Sequence, residues 1–130
     1  AALTVSGARG PVVLPARWRV DGGTLYAALP AETLALAGAG PDAPVALTMD
    51  RASEWRARDM VGAMVQGTGD IFVLDGLGSG AKTARALATS IDPEAGALVR
   101  ITPVRMVWWK GWTSGSLPSD SLPSDSFTVG

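Results

Sequence analysis

The feature that most constrains this fold is the alternation of polar and apolar side chains in residues 100–112, R-I-T-P-V-R-M-V-W-W-K-G-W. Side chains of a β-strand point alternately to the two faces of a sheet, so this pattern predicts a strand. The alternation slips by one residue at Pro103. Ile101 belongs to the apolar face before the slip, and Val104 and Met106 belong to it afterwards. An extra residue must absorb the slip, and we therefore predict a β-bulge at Pro103.

The opposite face of this strand carries Arg105, Val107 and Trp109. Two interpretations are compatible with the arrangement. In the first, the clustered tryptophans only close the hydrophobic interior of a barrel. In the second, Trp109 flanks the rings of a flat, anionic ligand and Arg105 lies beside it. Because Trp108 and Trp109 lie on opposite faces, one can fill the interior while the other contacts a ligand.

Composition limits the class of protein. The 130 residues are 47% apolar and 18% charged, which predicts one folded domain. The chain has neither cysteine nor histidine, which excludes Ser-His-Asp catalysis, thiol chemistry and the usual zinc sites, and we expect no metal. A net charge of −1 with scattered arginines argues against a nucleic-acid partner. With no membrane-spanning run and no secretory signal, a cytoplasmic protein is the default expectation.

The rest of the chain predicts short strands separated by turns. Residues 11–20 and 24–29 form a hairpin about the Asp-Gly-Gly turn at 21–23. Other strands are expected at residues 2–6, 43–50, 60–66 and 70–74, a short helix at 31–37 and a longer one at 81–91, where Ala84, Leu87, Ala88 and Ile91 form an apolar stripe. Runs of strands with few helices predict a mainly β fold with an antiparallel sheet closed on itself.

The C-terminal end repeats the pentapeptide S-L-P-S-D at residues 116–120 and 121–125. Such a segment cannot bury enough apolar area to fold alone. We therefore divide the chain into a barrel domain at residues 1–115 and a tail at residues 116–130. The tail is either a loose terminus or lies over its own or a neighbouring subunit, with Leu117, Leu122 and Phe127 as anchors.

Residues 71–83, I-F-V-L-D-G-L-G-S-G-A-K-T, have the order of a phosphate-binding loop: a strand, glycines, Lys-Thr and a helix. However, Ala81 stands where that motif has a glycine, and no second strand ends in a magnesium-binding Asp. The better interpretation is a flexible loop before a capped helix. Lys82 could still bind the phosphate of a cofactor at the helix start.

Several stretches together resemble the split-barrel proteins of the pyridoxamine 5'-phosphate oxidase-like family. They are P-V-V-L-P at residues 11–15, D-G-G-T-L-Y at 21–26, A-P-V-A-L-T-M-D at 43–50, M-V-Q-G at 64–67 and W-W-K-G-W at 108–112, the last similar to actinobacterial members. The resemblance implies a six-stranded split barrel that forms a homodimer. It also implies FMN or a deazaflavin in the groove between the subunits, and oxidoreductase chemistry carried by that cofactor.

One departure from the family concerns the phosphate of FMN. Members that bind FMN grip this phosphate after the second hairpin strand and at the short helix, but this chain has no Lys or Arg between Arg19 and Arg51. Either other cations replace that grip, or the ligand differs, or the chain is a non-catalytic dimeric binding protein. The candidate cofactor-binding residues are Arg17 on the hairpin, Arg56 and Arg58 in the charged connection, Lys82, Arg105 and Trp109. Arg17 and Arg19 could equally form a solvated sheet edge.

Overall fold

The chain folds as an antiparallel sheet with two helices. The structure, a computed structural model, describes residues 1–52, 60–76, 82–110 and 113–118. Its elements in chain order are β1 (Ala2–Gly7), β2 (Gly10–Pro15), β3 (Arg17–Asp21), β4 (Thr24–Leu29), α1 (Ala31–Ala35), β5 (Ala43–Ala52), β6 (Met60–Val73), a 3-10 turn (Leu74–Gly76), α2 (Lys82–Ile91), β7 (Ala97–Lys110) and β8 (Thr113–Pro118). The mainly β class, with one short and one longer helix, is confirmed.

The order of the strands shows how the sheet curls. It runs β2-β1-β5-β6-β7-β4-β3, and β8 also pairs with β7. The two edge strands, β2 and β3, are separated in sequence by Ala16 alone. Strands lie ~4.8 Å apart, so a flat sheet of seven would hold its edges roughly 29 Å from each other. One residue cannot span that distance, so the sheet curls and brings the end of β2 next to the start of β3. The N–H of Ala16 donates to the carbonyl of Ala1 at 3.1 Å, next to the last pair of the ladder between β1 and β2.

The described part of the chain has eight strands where six were expected. The strand predicted over residues 11–20 is divided at Ala16, where the chain passes from one edge of the sheet to the other. The eighth strand, β8, pairs antiparallel with β7. The boundary that we placed between residues 115 and 116 therefore falls inside β8. The half-buried Leu117 packs against the core, while residues 119–130 lie outside the described part.

The hairpin and the bulge are both confirmed. Gly22 and Gly23 take positive φ angles of 57° and 80°, as the turn between β3 and β4 requires. In the ladder between β6 and β7 the register shifts at Pro103, and Val104 is the extra residue. Val104 is 62% exposed, so its predicted place on the apolar face was wrong. The extra residue of a bulge leaves the ladder, and Met106 takes up the buried face after it.

The two faces of the curled sheet bury different sets of side chains. The inner face holds the main core, whose fully buried members include Leu3, Val5, Leu29, Leu47, Val65, Val99 and Ile101. On the outer face, α2 packs its predicted apolar stripe against Ala28 and Leu98. No polar or charged side chain is buried among the described residues. The described interior therefore offers no acid, base or ion-binding group.

Candidate functional site

The outer face of β6 and β7, beyond the bulge, forms a surface that we name the tryptophan patch. Residues directly opposite each other in an antiparallel ladder share a face. The patch consists of three such pairs: Trp109 with Gly62, Val107 with Met64, and Arg105 with Gln66. The pairing places Arg105, Val107 and Trp109 together on the face opposite to Met106, as the alternation predicted.

Trp109 is positioned by the glycine opposite to it. A Cβ atom added to Gly62 would overlap the six-membered ring of the Trp109 indole. The indole thus lies directly over the β6 backbone, and its side chain is half-buried. Trp108 has the equivalent relation to Gly115 of β8, since a Cβ there would lie 2.7 Å from the Trp108 ring. Each tryptophan is therefore packed over a glycine of a neighbouring strand, on opposite faces of β7.

Arg105 lies on the patch two positions before Val107. Its side chain is exposed, and it has no hydrogen bond or ion pair with any described residue. Its guanidinium is thus a full positive charge at the edge of an apolar, aromatic surface. A planar anionic molecule fits this chemistry, because the ring of Trp109 and the charge of Arg105 share one face.

A second arginine of β7, Arg100, lies on the same face before the bulge. It donates a hydrogen bond of 2.7 Å to the carboxylate of Asp70, and its guanidinium lies 5.6 Å from the centre of the Phe72 ring. The hydrogen bond and the charge of Asp70 raise the pKa of Arg100. The sequence alone did not indicate a role for Arg100, because its partner Asp70 is 30 residues away in the chain and only the fold brings the two together. The pairing of β6 with β7, corrected for the bulge, is the signal that could have found it.

The other predicted cations lie elsewhere. Arg17 begins β3, is exposed, and has no hydrogen bond or ion pair within the described part of the chain. Its neighbour Arg19 donates to the side chain of Ser90 at 2.7 Å and to the carbonyl of Ser90 at 3.1 Å. Lys82 is the exposed first residue of α2. Arg56 and Arg58 lie outside the described residues.

The predicted cations that the structure describes do not converge on one site. Arg17 lies in a row with Ala28 and Leu98, which α2 covers. Arg105 is seven residues further along β7 than Leu98, roughly 20 Å at the rise of a strand. The pairing of β6 is antiparallel on both sides. A phosphate-binding loop follows a strand of a parallel sheet, so that alternative for residues 71–83 is not supported.

Comparison with known proteins identifies the fold. No protein-family model matches the sequence, and no curated protein sequence matches it. A heme-binding protein from Mycobacterium smegmatis is 17% identical with a TM-score of 0.59, over 92% of this chain and 52% of that protein. This chain thus spans about half of that neighbour.

Two further solved structures carry the family name. A pyridoxamine 5'-phosphate oxidase-type protein from Corynebacterium glutamicum is 19% identical with a TM-score of 0.52, over 81% of this chain and 74% of that one. A pyridoxinephosphate oxidase-family protein related to general stress protein 26, from Clostridium acetobutylicum, is 15% identical with a TM-score of 0.54, over 92% and 84%. The chain therefore has the pyridoxamine 5'-phosphate oxidase-like fold that its motifs predicted.

Two general features of the described residues complete the description. Neither helix is long and apolar enough to cross a membrane. No group of three or more acidic side chains converges in the described ranges in a way that could hold a metal ion.

Proposed function

We propose that this chain binds a planar, anionic redox cofactor, FMN or a deazaflavin, on the tryptophan patch and acts as an oxidoreductase. The observation that carries the proposal is the half-exposed indole of Trp109 on the same face as the guanidinium of Arg105, which has no hydrogen bond or ion pair with any described residue. Trp109 is four positions further along the strand than Arg105, a span of roughly 13 Å. A tricyclic ring over Trp109, with its phosphorylated side chain directed along β7, can reach Arg105. The cofactor would carry the hydride, and the chain would bind and orient it.

The proposed assembly is a homodimer in which a second copy covers the patch. Met64 and Val107 form an apolar band between Arg105 and Trp109, and both are half-buried in the single chain. A cofactor lying on this band would have one ring face against the sheet and the other exposed to water. A second copy would supply the missing wall, and it would exclude water from a hydride transfer.

The phosphate of the cofactor has one described candidate partner on the patch. Of the cations predicted from sequence and described by the structure, Arg105 lies on the patch, whereas Arg17 and Lys82 belong to the end of the sheet that α2 covers. A single guanidinium grips a dianion less firmly than a cluster does. We therefore expect this site to release FMN more readily than a site with several cations would, so that extensive dilution of the loaded protein separates it from the flavin.

A second candidate ligand is heme, which is also planar and carries two carboxylates. The Mycobacterium smegmatis neighbour is a heme-binding protein. In this chain Met64 lies on the patch, and a thioether is a possible axial ligand to iron. The chain has no histidine or cysteine for that role. The alternative from sequence was a non-catalytic binding protein. Under that alternative this chain would bind its ligand on the same patch and catalyse no reaction.

The test is a titration of the full chain with FMN, a deazaflavin and hemin, followed by the absorbance of each cofactor. We expect saturation at one cofactor per subunit for a flavin-type cofactor. Arg105→Gln should weaken binding by about tenfold, because a charge-assisted hydrogen bond is lost. Arg17→Gln is the matched control and should bind as the unmodified chain does. Saturation by none of the three, or equal losses in both variants, would reject the proposed site.

Turnover separates the enzyme from the binding protein. The loaded chain should oxidise a reduced nicotinamide or a reduced deazaflavin in the presence of an electron acceptor. A chain that binds the flavin with full occupancy, elutes as a dimer and gives no turnover with either donor would be the non-catalytic alternative. If hemin saturates the chain and neither FMN nor the deazaflavin does, the ligand of the patch is heme and not a flavin.

A further inference from the structure

We propose that the chain has a second binding site, separate from the tryptophan patch, for a small organic monocarboxylate in a cleft beside Arg100. We name it the edge cleft. Its volume is about 520 Å³, which lies within the range of about 300 to 1,000 Å³ typical of small-molecule pockets. The lining of the cleft includes the side chains of Pro41, Asp70, Ile71, Phe72 and Arg100.

The cleft arises because β6 is longer than its neighbour. The ladder between β5 and β6 begins at the pair Ala43–Gly69, whereas β6 continues to Val73. Residues 70–73 therefore have β7 on one side and no described strand on the other. The chain preceding β5 passes this edge at residues 39–41, and within the described part no backbone hydrogen bond joins the two. The result is an open strand edge facing a loop, with room between them.

Arg100 is held in place at this edge with most of its donors unused. Its guanidinium forms an ion pair with Asp70 and lies 5.6 Å from the centre of the Phe72 ring, and both partners belong to β6. The side chain nevertheless remains 47% exposed. A guanidinium has five N–H donors, and one of them is used by Asp70 in the described structure.

The charge and shape of the cleft favour a monocarboxylate. The Asp70 carboxylate lies 2.7 Å from one guanidinium nitrogen, so the pair is neutral and a dianion such as phosphate meets more repulsion than a monoanion. A carboxylate is planar and matches the fork of the guanidinium. Pro41, Ile71 and Phe72 supply apolar walls for the hydrocarbon part of the ligand. The ligand class is thus a carboxylic acid with an apolar or aromatic body.

The edge cleft is independent of the tryptophan patch. Arg105 is the member of the patch nearest to Arg100; the two are five residues apart on β7, and one of these residues is the bulge, so roughly 13 Å of strand separates them. A cofactor on the patch and a carboxylate in the cleft would not contact each other. The two proposals can therefore fail separately.

The experiment is an NMR titration of the ¹⁵N-labelled full chain with 3-phenylpropionate. Its neutral analogue 3-phenylpropanamide and inorganic phosphate serve as comparison probes. We expect saturable shifts of the amides of Gly40, Ile71 and Phe72, with the acid binding about tenfold more tightly than the amide and more tightly than phosphate. Equal binding of acid and amide, or tighter binding of phosphate, would overturn the assignment, as would an absence of shifts at these amides.

Three variants complete the test. Arg100→Gln should lose binding of the acid by about tenfold, while Arg105→Gln, which removes an arginine from the same strand and face outside the cleft, should keep it. Asp70→Asn removes the competing carboxylate and should tighten binding of both the acid and phosphate. That gain of affinity cannot come from misfolding. Weaker binding in Asp70→Asn, or equal losses in the two arginine variants, would contradict the site.

Discussion

The two halves of β7, before and after the bulge at Pro103, carry arginines on the same outer face but place them in different surroundings. Arg100 lies beside the helix-covered end of the sheet, where Asp70 and Phe72 hold it. Arg105 lies beyond the bulge, where β8 pairs with β7, and has no partner among the described residues. One arginine is ordered and largely neutralised, whereas the other keeps its full charge.

Under our two proposals, arginines on one strand serve two ligand classes because their surroundings differ. A neutralised, ordered guanidinium favours a monoanion with an apolar body, since repulsion from Asp70 penalises higher charge. An unpaired guanidinium beside an aromatic ring accepts a more highly charged, planar ligand. The bulge separates the two environments, because it shifts the register so that both arginines face outwards despite an odd spacing of five residues.

The largest expected effect is a loss of stability when the bulge between the two halves of β7 is disturbed. Gly67 lies opposite Pro103, and a Cβ added there would overlap the carbonyl of Thr102. We expect Gly67→Ala to lower the free energy of unfolding by about 2–3 kcal/mol, because the backbone must move to relieve the overlap. Urea denaturation measures the change.

The matched control for this substitution is Gly40→Ala. A Cβ at Gly40 has no atom within 4 Å, so the urea midpoint should stay within error of the unmodified chain. If Gly67→Ala were as stable as Gly40→Ala, the close contact at the bulge would not constrain β7. The separation of its two halves would then need another explanation.

Substitutions of the two glycines that lie under Trp109 and Trp108 should have smaller effects on stability, and they distinguish the roles of the two tryptophans. Gly62→Ala places a methyl group where the Trp109 indole lies, whereas Gly115→Ala does the same to Trp108 on the opposite face. Both should destabilise the chain by about 1–2 kcal/mol through overpacking. Gly62→Ala alone should also weaken flavin binding by about tenfold, since it moves the ring that we place against the cofactor. Cofactor absorbance and urea denaturation are measured on both variants, and equal losses of affinity would remove Trp109 from the site.

Features that depend on residues close together in the sequence could be predicted, whereas features that depend on distant residues could not. The Gly22–Gly23 turn, the stripe of α2 and the bulge at Pro103 are set by neighbouring residues, and the sequence predicted all three. The division at Ala16 was not predicted, because the alternation continues through it and only the curl of the sheet separates β2 from β3. The pairing of β8 was not predicted either, since its polar sequence gains stability from contacts with β7 that propensity does not describe.

The candidate sites divide in the same way. The shared face of Arg105 and Trp109 is a local property of one strand and could be deduced from alternation. The ion pair of Arg100 with Asp70 depends on the register between two long strands, which a bulge shifts by one residue. The positions of Arg17 and Arg105 relative to each other depend on sheet order, and the sheet places the two in different rows.

The smallest effect concerns the stability that the Arg100–Asp70 pair contributes. Both side chains are partly exposed, at 47% and 39%, and water and salt screen an exposed pair. We therefore expect Asp70→Asn to leave the urea midpoint within experimental error, although it changes ligand binding in the edge cleft.

The interaction with Asp70 raises the pKa of Arg100. Its contribution is then fully present below the unfolded pKa of an arginine and is lost only as the pH rises through the still higher folded value. Unfolding curves near neutral pH should therefore show no pH dependence from this pair. A urea midpoint that falls clearly in Asp70→Asn would mean that the ion pair stabilises the end of β6. The first half of β7 would then differ from the second in stability as well as in the surroundings of its arginine.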